Sequence, residues 1–277
     1  MIGKEEWNDY FSGNRLYGDD FTDDEIAGWF QDESEAYAEL VKNIYHHEKE
    51  GYSWHGLNRY YGYPHVDLQK IQRILGFGSA TGAEFIPLFS KMNKSQISEV
   101  IILEPSESFV HQSICDVPIR YVKPNMNGIL DFPDDSFDLI TCFGVLHHIP
   151  NVSDVMKELS RCLAPGGRLL IREPAISMGD WRQPRAGLTT HERGIPIKIF
   201  RKIIKDTNLK IVSENLCACP LTEKFLHPFF KNGVYNSSRA AFFDYVLCRF
   251  LKFNMRYHAV SPLQKIRPTC VYYVLTK

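Results

Sequence analysis

The sequence has 277 residues, of which 44% are hydrophobic and 23% charged, and its formal net charge is −1. These values are ordinary for a soluble globular chain large enough to bury one sizeable core. No apolar run approaches the roughly 20 residues needed to span a bilayer, and no basic, apolar leader opens the chain. We therefore expect a cytoplasmic protein, and the near-neutral charge argues against a nucleic-acid partner.

The seven cysteines are an odd number, scattered through apparent strands and helices. This usage argues for reduced thiols and against a disulfide framework. Cys217 and Cys219 form a C-x-C pair, but no second pair lies near them in the sequence, so we expect no metal site.

The first 65 residues carry helical signals. Thr22 and Glu25 form a capping-box pattern just before Ile26, Trp29 and Phe30, and apolar residues continue at helical spacing as far as position 45. A loop rich in Tyr, Gly and His follows. We predict a helical N-terminal extension over residues 1–65, ahead of a main domain over residues 66–277.

From residue 66 onward, short apolar runs of strand length alternate with helix-like stretches. The predicted strands are Arg73–Phe77, Glu99–Glu104, Arg120–Val122, Phe137–Phe143, Arg168–Glu173, Leu209–Leu216 and Thr269–Thr276. The predicted helices are Ala83–Met92, Ser106–Ile114, Val152–Leu163 and Pro196–Asp206. Such alternation predicts parallel pairing in a doubly wound α/β sheet that is covered on both faces.

A glycine-rich loop, Gly76-Phe77-Gly78-Ser79-Ala80-Thr81-Gly82, ends the first predicted strand. A loop of this kind directs backbone N–H groups and a positive helix end at a ligand. A P-loop is excluded because no Lys follows Gly82, and the dinucleotide pattern fits only in part because the third glycine comes one place late. Glu104 ends the next strand, where a carboxylate can accept ribose hydroxyls. The two features together predict a nucleoside without choosing one.

Residues 130–174 read LDFPDDSFDLITCFGVLHHIPNVSDVMKELSRCLAPGGRLLIREP. This block closely resembles the second half of the core of class I S-adenosylmethionine-dependent methyltransferases, in the order and spacing of its strands, turns and helix. The family's glycine loop is acid-x-Gly-x-Gly-x-Gly, from which this chain departs at Gly76 and Ala80. The resemblance covers residues 70–174 well and residues 195–216 loosely. It implies a mostly parallel seven-stranded sheet, S-adenosylmethionine as cofactor and methyl transfer as the reaction.

The resemblance also implies which residues contact the cofactor. The family commonly has an acid at position 76 that contacts the methionine portion of the cofactor, and this chain has Gly76. We therefore expect another residue to contact that portion, with Tyr60 and Tyr61 as candidates. The positions that contact the adenine ring in the family correspond to Met126 and Asn127 in this sequence. The full set of expected cofactor residues is Gly76, Phe77, Gly78, Ala80, Gly82, Glu104, Pro105, Asn127, Phe143, Gly144, Tyr60 and Tyr61.

Methyl transfer to a hydroxyl requires a base close to the acceptor. Three candidates lie at the carboxyl edge of the predicted sheet or in the loop after it, namely His148, His191 and Glu173. The family often has histidine at positions 147 and 148 without using it as a base. Transfer to an enolate-forming ring carbon would need no strong base.

Two insertions, over residues 175–195 and 221–268, are expected to cap the active site, as such insertions do in this family. The first carries Trp181, Arg182, Arg185 and Arg193, which would suit a phosphate-bearing acceptor such as a nucleotide- or lipid-linked sugar. Residues 221–277 hold nine Lys or Arg against two acidic residues, a net charge of +7. Their aromatic and basic segment 238–259 would suit either packing over the core or peripheral contact with an anionic membrane.

We therefore expect a methyltransferase that acts at oxygen on a small molecule or glycan precursor. A nicotinamide-dependent oxidoreductase would share the glycine loop and Glu104, but it leaves the block at 130–174 unexplained. A non-catalytic relative that keeps the fold as an interaction platform is the other alternative, suggested by the departures at Gly76, Ala80 and Met126.

Overall fold

The computed structural model describes residues 4–45, 52–183, 185–230 and 233–277. Its main sheet has seven strands in the order β5-β2-β1-β6-β7-β9-β8, and β3 and β4 form a separate hairpin. The strands are β1 Arg73–Phe77, β2 Glu99–Leu103, β3 Ser113–Ile114, β4 Val117–Pro118, β5 Arg120–Val122, β6 Phe137–Phe143, β7 Leu163–Pro174, β8 Lys210–Cys217 and β9 Cys270–Thr276.

The first five strands of the sheet order are parallel, and β9 runs antiparallel to both β7 and β8. The chain order of the parallel strands reverses beside β1, which places the carboxyl ends of β1 and β6 at the switch point where open α/β sheets bind ligands. The mostly parallel, doubly wound α/β fold predicted from the sequence is confirmed.

Helices cover the sheet, and they are α1 Lys4–Ser12, α2 Asp23–Tyr45, α3 His55–Tyr61, α4 Ile86–Phe89, α5 Val152–Cys162, α6 Ile197–Lys205, α7 Pro220–Leu226 and α8 Ser238–Leu251. Alternate strand residues enter two separate apolar cores. Leu75 of β1 and Ile140 of β6 belong to the core that includes α5 and α6, whereas Ile74 and Leu139 belong to the core on the opposite face. Both faces of the sheet are therefore buried.

One helix prediction is wrong and a second is too long. Ser106–Ile114 forms one 3₁₀ turn and then strand β3, because Cys115 and Asp116 adopt left-handed backbone angles (φ 49° and 64°) that make a tight hairpin to β4. Ala83–Met92 is reduced to a 3₁₀ turn followed by α4. Pro87 lacks the N–H that a continuous helix would donate to the Ala83 carbonyl, so the α-helical ladder cannot run through it.

The helical N-terminal segment packs on the main sheet domain. The predicted capping box is present, since the Glu25 carboxylate accepts the Thr22 N–H at 2.9 Å and the Thr22 hydroxyl accepts the Glu25 N–H at 3.4 Å. Further along α2, the Trp29 indole N–H donates to the carbonyl of His148 at 2.6 Å. The boundary at residue 65 stays a prediction. Within the described ranges, none of the helices has the length and apolar character required to cross a membrane.

Candidate active site

A cleft opens at the switch point of the sheet, between the carboxyl ends of β1, β2 and β6 and one face of α2. Its empty volume is ≈ 970 Å³, including the space at its mouth that is open to solvent. The lining residues are Trp29, Phe30, Glu33, Phe77, Gly78, Leu103, Glu104, Pro105, Pro124, Asn125, Met126, Gly128, Ile129, Leu130, Gly144, Val145, His148, Ile149 and Pro150.

The glycine loop approaches the cleft most closely at Gly78. Its N–H donates to the Leu103 carbonyl at 2.8 Å, its φ is +64°, and a Cβ atom there would lie 2.6 Å from both methyl carbons of Val145. Only glycine satisfies both the backbone angle and this contact. Gly78 therefore lets the loop pack closely on Val145 while it lines the cleft with backbone alone.

The Glu104 carboxylate holds the loop in place. One oxygen accepts the Ala80 N–H at 3.0 Å and the other accepts the Ser106 N–H at 3.1 Å. Burial raises the pKa of the Glu104 carboxyl above its ordinary value, and the two N–H donors oppose that rise. Glu104 therefore lines the cleft and also organises its floor.

The structure brings together only some of the cofactor residues expected from the sequence. Those that line the cleft are Phe77, Gly78, Glu104, Pro105 and Gly144. Those that are not part of the cleft lining are Gly76, Ala80, Gly82, Asn127 and Phe143. Asn127 uses its side-chain oxygen to accept the Ile129 N–H at 3.1 Å, while its neighbours Met126 and Gly128 face the cleft.

Tyr60 and Tyr61 lie in the core on the opposite face from α5, away from the cleft lining. Both rings pack against Tyr245 of α8, and Tyr61 also stacks on Tyr272 at 5.7 Å between ring centroids. This packing gives both residues a role in joining α3 to α8. It removes the argument for placing them at the methionine end of a cofactor.

A buried carboxyl group, Glu84, lies beneath Gly76. The Thr141 hydroxyl donates to Glu84 at 3.4 Å, and Thr141 is the β6 residue paired with Gly76. Burial raises the pKa of the Glu84 carboxyl to about 7, against an ordinary value of 4.5. An acid is thus present below the loop, although the strand itself has glycine.

Glu173 is fully buried and organises the turn after β6. One carboxylate oxygen accepts the N–H groups of Val145 and Leu146 at 2.8 and 2.9 Å, and the other lies 2.8 Å from Nδ1 of His147. Burial raises the pKa of Glu173, but His147 and the backbone donors outweigh it and bring the pKa below its ordinary value. With no exposed surface, Glu173 is a positioning residue in this structure.

His148 is the only one of the three predicted bases that lines the cleft. Its Nδ1 lies 2.9 Å from Glu33 of α2, and its Nε2 lies 3.5 Å from the Glu192 carboxylate. Burial raises the pKa of Glu33, but hydrogen bonds from His148, Thr189 and the His191 N–H bring it below its ordinary value. An ionised Glu33 carboxylate can only accept, so Nδ1 carries a proton, whereas Nε2 faces Glu192, whose carboxyl pKa is raised by burial.

The His191 side chain contacts α2 and is not part of the cleft lining. Its ring stacks on Trp29 with the centroids 4.4 Å apart, and Nε2 lies 2.9 Å from the Asp32 carboxylate. The side chain fixes the insertion 175–195 to α2, outside the cleft lining.

The arginines of that insertion are also engaged internally. Arg185 donates to four backbone carbonyls of its own segment, and Arg193 donates to carbonyls of Tyr17 and of residues 146, 147, 149 and 150. Arg182 pairs with Asp180 at 2.6 Å. Among the described residues that line the cleft, none is Lys or Arg.

His147, His148 and Glu192 each offer a ligand atom within 4.8 Å of the other two, which makes them a possible metal-holding group among the described residues. The hydrogen bonds and ion pairs above already account for their arrangement. The expectation of no metal site stays a prediction.

Sequence reasoning missed the contribution of α2, namely Trp29, Phe30 and Glu33. One signal was available, because Glu33 follows Trp29 by four residues and therefore shares its helix face.

The fold and the cleft define the class of protein. A sheet with five parallel strands and an antiparallel β9 between β7 and β8, with a glycine loop after β1 and an acid after β2, is that of a class I S-adenosylmethionine-dependent methyltransferase. A family model described as a methyltransferase domain matches residues 34–214, and the chain belongs to that family. The block at 130–174 predicted this family, and S-adenosylmethionine is the cofactor of the family.

Similar proteins agree with this class. Ubiquinone/menaquinone biosynthesis C-methyltransferase UbiE of Pectobacterium atrosepticum is 32% identical over 114 residues, which cover 38% of this chain and 44% of the relative. The chain therefore aligns with less than half the length of that relative.

Two solved structures share the fold. A putative S-adenosylmethionine-dependent methyltransferase from Listeria monocytogenes has a TM-score of 0.54 at 12% identity and covers 81% of this chain and 97% of its own. A SAM-dependent methyltransferase from Archaeoglobus fulgidus has a TM-score of 0.50 at 15% identity and covers 80% and 91%.

Proposed function

We propose that the protein transfers a methyl group to a hydroxyl of a small, uncharged acceptor, with His148 as general base. The observation that carries the proposal is the position of His148. It lines the cleft at the carboxyl edge of the sheet, and a carboxylate holds its Nδ1. This arrangement places an imidazole held by the Glu33 carboxylate at the carboxyl edge of the sheet, where open α/β sheets bind ligands.

We assign the cofactor to the part of the cleft between the glycine loop and the segment 124–130. Gly78 lines this part of the cleft with backbone alone, and Glu104 lies where ribose hydroxyls could be accepted. S-adenosylmethionine supplies an electrophilic methyl group when it is bound. The apolar wall made by Pro124, Met126 and Ile129 suits the faces of an adenine ring.

The acceptor is assigned to the neighbouring space under α2. Trp29 and Phe30 give that wall an apolar surface, which excludes water from the reacting hydroxyl. Because the cleft lining contains no Lys or Arg among the described residues, an anionic acceptor would find no charged partner there. The proposal therefore favours a neutral phenol, alcohol or sugar hydroxyl over a phosphate-bearing one.

The acceptor hydroxyl would give its proton to Nε2 of His148 as its oxygen gains the methyl group. Glu33 holds the Nδ1 proton, and Glu33 and Glu192 would both stabilise the imidazolium that forms. A positioned base of this kind contributes typically 10²- to 10⁴-fold to the rate.

Transfer to a ring carbon is the second candidate. It is favoured by the similarity to a relative named as a C-methyltransferase of ubiquinone and menaquinone biosynthesis. In this reaction His148 would remove the proton of a hydroxyl on an electron-rich ring, and a ring carbon would accept the methyl group. The same residue would therefore serve as the base.

The test is a panel of neutral phenols, sugars and hydroquinones incubated with the protein and S-adenosylmethionine labelled at its methyl carbon. Release of S-adenosylhomocysteine identifies an acceptor, and carbon NMR of the product separates O-methyl from C-methyl groups. O-methyl products that disappear in His148→Gln support the proposal. C-methyl products alone would establish the second candidate, and undiminished O-methylation by the variant would refute the assignment of the base.

A further inference from the structure

Helix α8 has apolar residues on two opposite faces. Its inner face consists of Ala240, Ala241, Asp244 and Cys248, which are buried against the protein. On the outer face, Phe242, Val246 and Phe250 recur every four residues, and Phe253 follows in the turn after the helix. Their exposed fractions are 55%, 36%, 74% and 82%.

Further exposed apolar side chains lie near α8 in the sequence. Phe225 of α7 and Phe229 just after it are 56% and 78% exposed, and Leu263 beyond α8 is 77% exposed. We call the set Phe225, Phe229, Phe242, Val246, Phe250 and Phe253 the C-terminal aromatic surface. Large exposed apolar side chains in this number mark a surface that contacts something else.

The charges around this surface are positive. Arg239, Arg249, Lys252 and Arg256 are exposed on α8 or just after it. Only two acids occur in residues 221–277, and one of them, Asp244, is buried and accepts the N–H groups of Ala218 and Cys219 at 2.8 Å. The surface therefore complements a partner that is both apolar and negatively charged.

We propose that the C-terminal aromatic surface docks the protein on an anionic lipid bilayer. Exposed phenyl rings interleaved with Arg and Lys on one helix face are typical of helices that lie in the headgroup region. The rings enter the boundary between headgroups and acyl chains, and the cations pair with lipid phosphates and carboxylates. This inference does not depend on the proposed reaction.

Co-sedimentation of the full chain with lipid vesicles tests the proposal. Vesicles of phosphatidylcholine alone are compared with vesicles that also contain phosphatidylserine. We expect binding to the anionic vesicles, a loss of at least about tenfold in partitioning for the variant F242S/F250S/F253S, and a similar loss for R249E/K252E/R256E at low salt.

The matched control is V110S/I211S, which changes two exposed apolar residues outside this surface and should bind like the parent. Circular dichroism and thermal melting confirm that each variant is folded. No binding to anionic vesicles, or equal binding by the triple phenylalanine variant, would overturn the proposal. A dimer in solution that the phenylalanine variant converts to a monomer, without vesicle binding, would instead make this surface a contact between copies.

Discussion

The buried carboxyl group of Glu84 makes protein stability depend on pH in a way that can be measured. The side chain is 3% exposed, and burial raises its pKa from 4.5 to about 7 in the folded protein. A folded-state pKa above the unfolded value means that the folded state binds the proton more tightly. The contribution of Glu84 to the free energy of unfolding is therefore fully present below pH 4.5 and is lost as the pH rises through 7.

The size of the loss follows from the shift in pKa. A rise from 4.5 to about 7, at 1.36 kcal/mol for each unit, corresponds to about 3 kcal/mol lost once the carboxyl is fully ionised. Glu84→Gln is neutral at every pH and keeps the side-chain shape. We expect the variant to gain stability over the parent as the pH rises, by about 2.5 kcal/mol between about pH 5 and pH 8.

Urea unfolding of both proteins at the two pH values measures this gain. Glu5→Gln, which makes the same chemical change at an exposed carboxyl, controls for net charge. If Glu84→Gln and the parent show the same pH dependence, then Glu84 does not carry the raised pKa and the argument from its burial is wrong.

Three further predictions concern the cleft and the C-terminal helices. Glu104→Ala removes the acceptor of two backbone N–H groups, so we expect about 3 kcal/mol lower stability and at least tenfold weaker S-adenosylhomocysteine binding by calorimetry; equal affinity would contradict the ribose assignment. Gly78→Ala places a methyl group 2.6 Å from Val145 at a left-handed φ, so affinity for the same ligand should fall at least about tenfold, with part of it restored in G78A/V145A. Asp244→Ala removes the acceptor for the Ala218 and Cys219 N–H groups, so the free energy of unfolding should fall by about 3 kcal/mol while ligand affinity stays unchanged.

The sheet could be predicted from the sequence because its strands are short apolar runs bounded by turn residues. β1, β5 and β6 have the predicted limits, Arg73–Phe77, Arg120–Val122 and Phe137–Phe143. The helices were harder to predict where one backbone position overrides the apolar pattern. Pro87 shortens one predicted helix, and the left-handed pair Cys115 and Asp116 replaces the end of another with a hairpin.

The site could be predicted only in part, because sequence spacing places a residue at a strand end without showing which way its side chain points. Gly78, Glu104 and His148 line the cleft as expected, whereas Glu173 points into the protein to bind backbone N–H groups. Tyr60 is close in sequence to the glycine loop but packs against α8.

The largest omission from the sequence reasoning was Glu33. Its position beside His148 depends on how α2 docks on the sheet, a contact between residues 115 positions apart. Pattern reasoning works from local spacing and does not provide such contacts. The proposed base is therefore a histidine oriented by a carboxylate, where the sequence suggested a histidine alone.

The most direct test of the proposed function compares single-turnover methyl transfer by the parent and His148→Gln, together with their affinities for S-adenosylhomocysteine. Glutamine can still donate to Glu33, so the turn should stay folded. His191→Gln, which changes a histidine outside the cleft lining, is the matched control. The account predicts a rate lower by about 10²- to 10⁴-fold for His148→Gln alone, with unchanged ligand affinity in both variants. A parental rate in His148→Gln would contradict it.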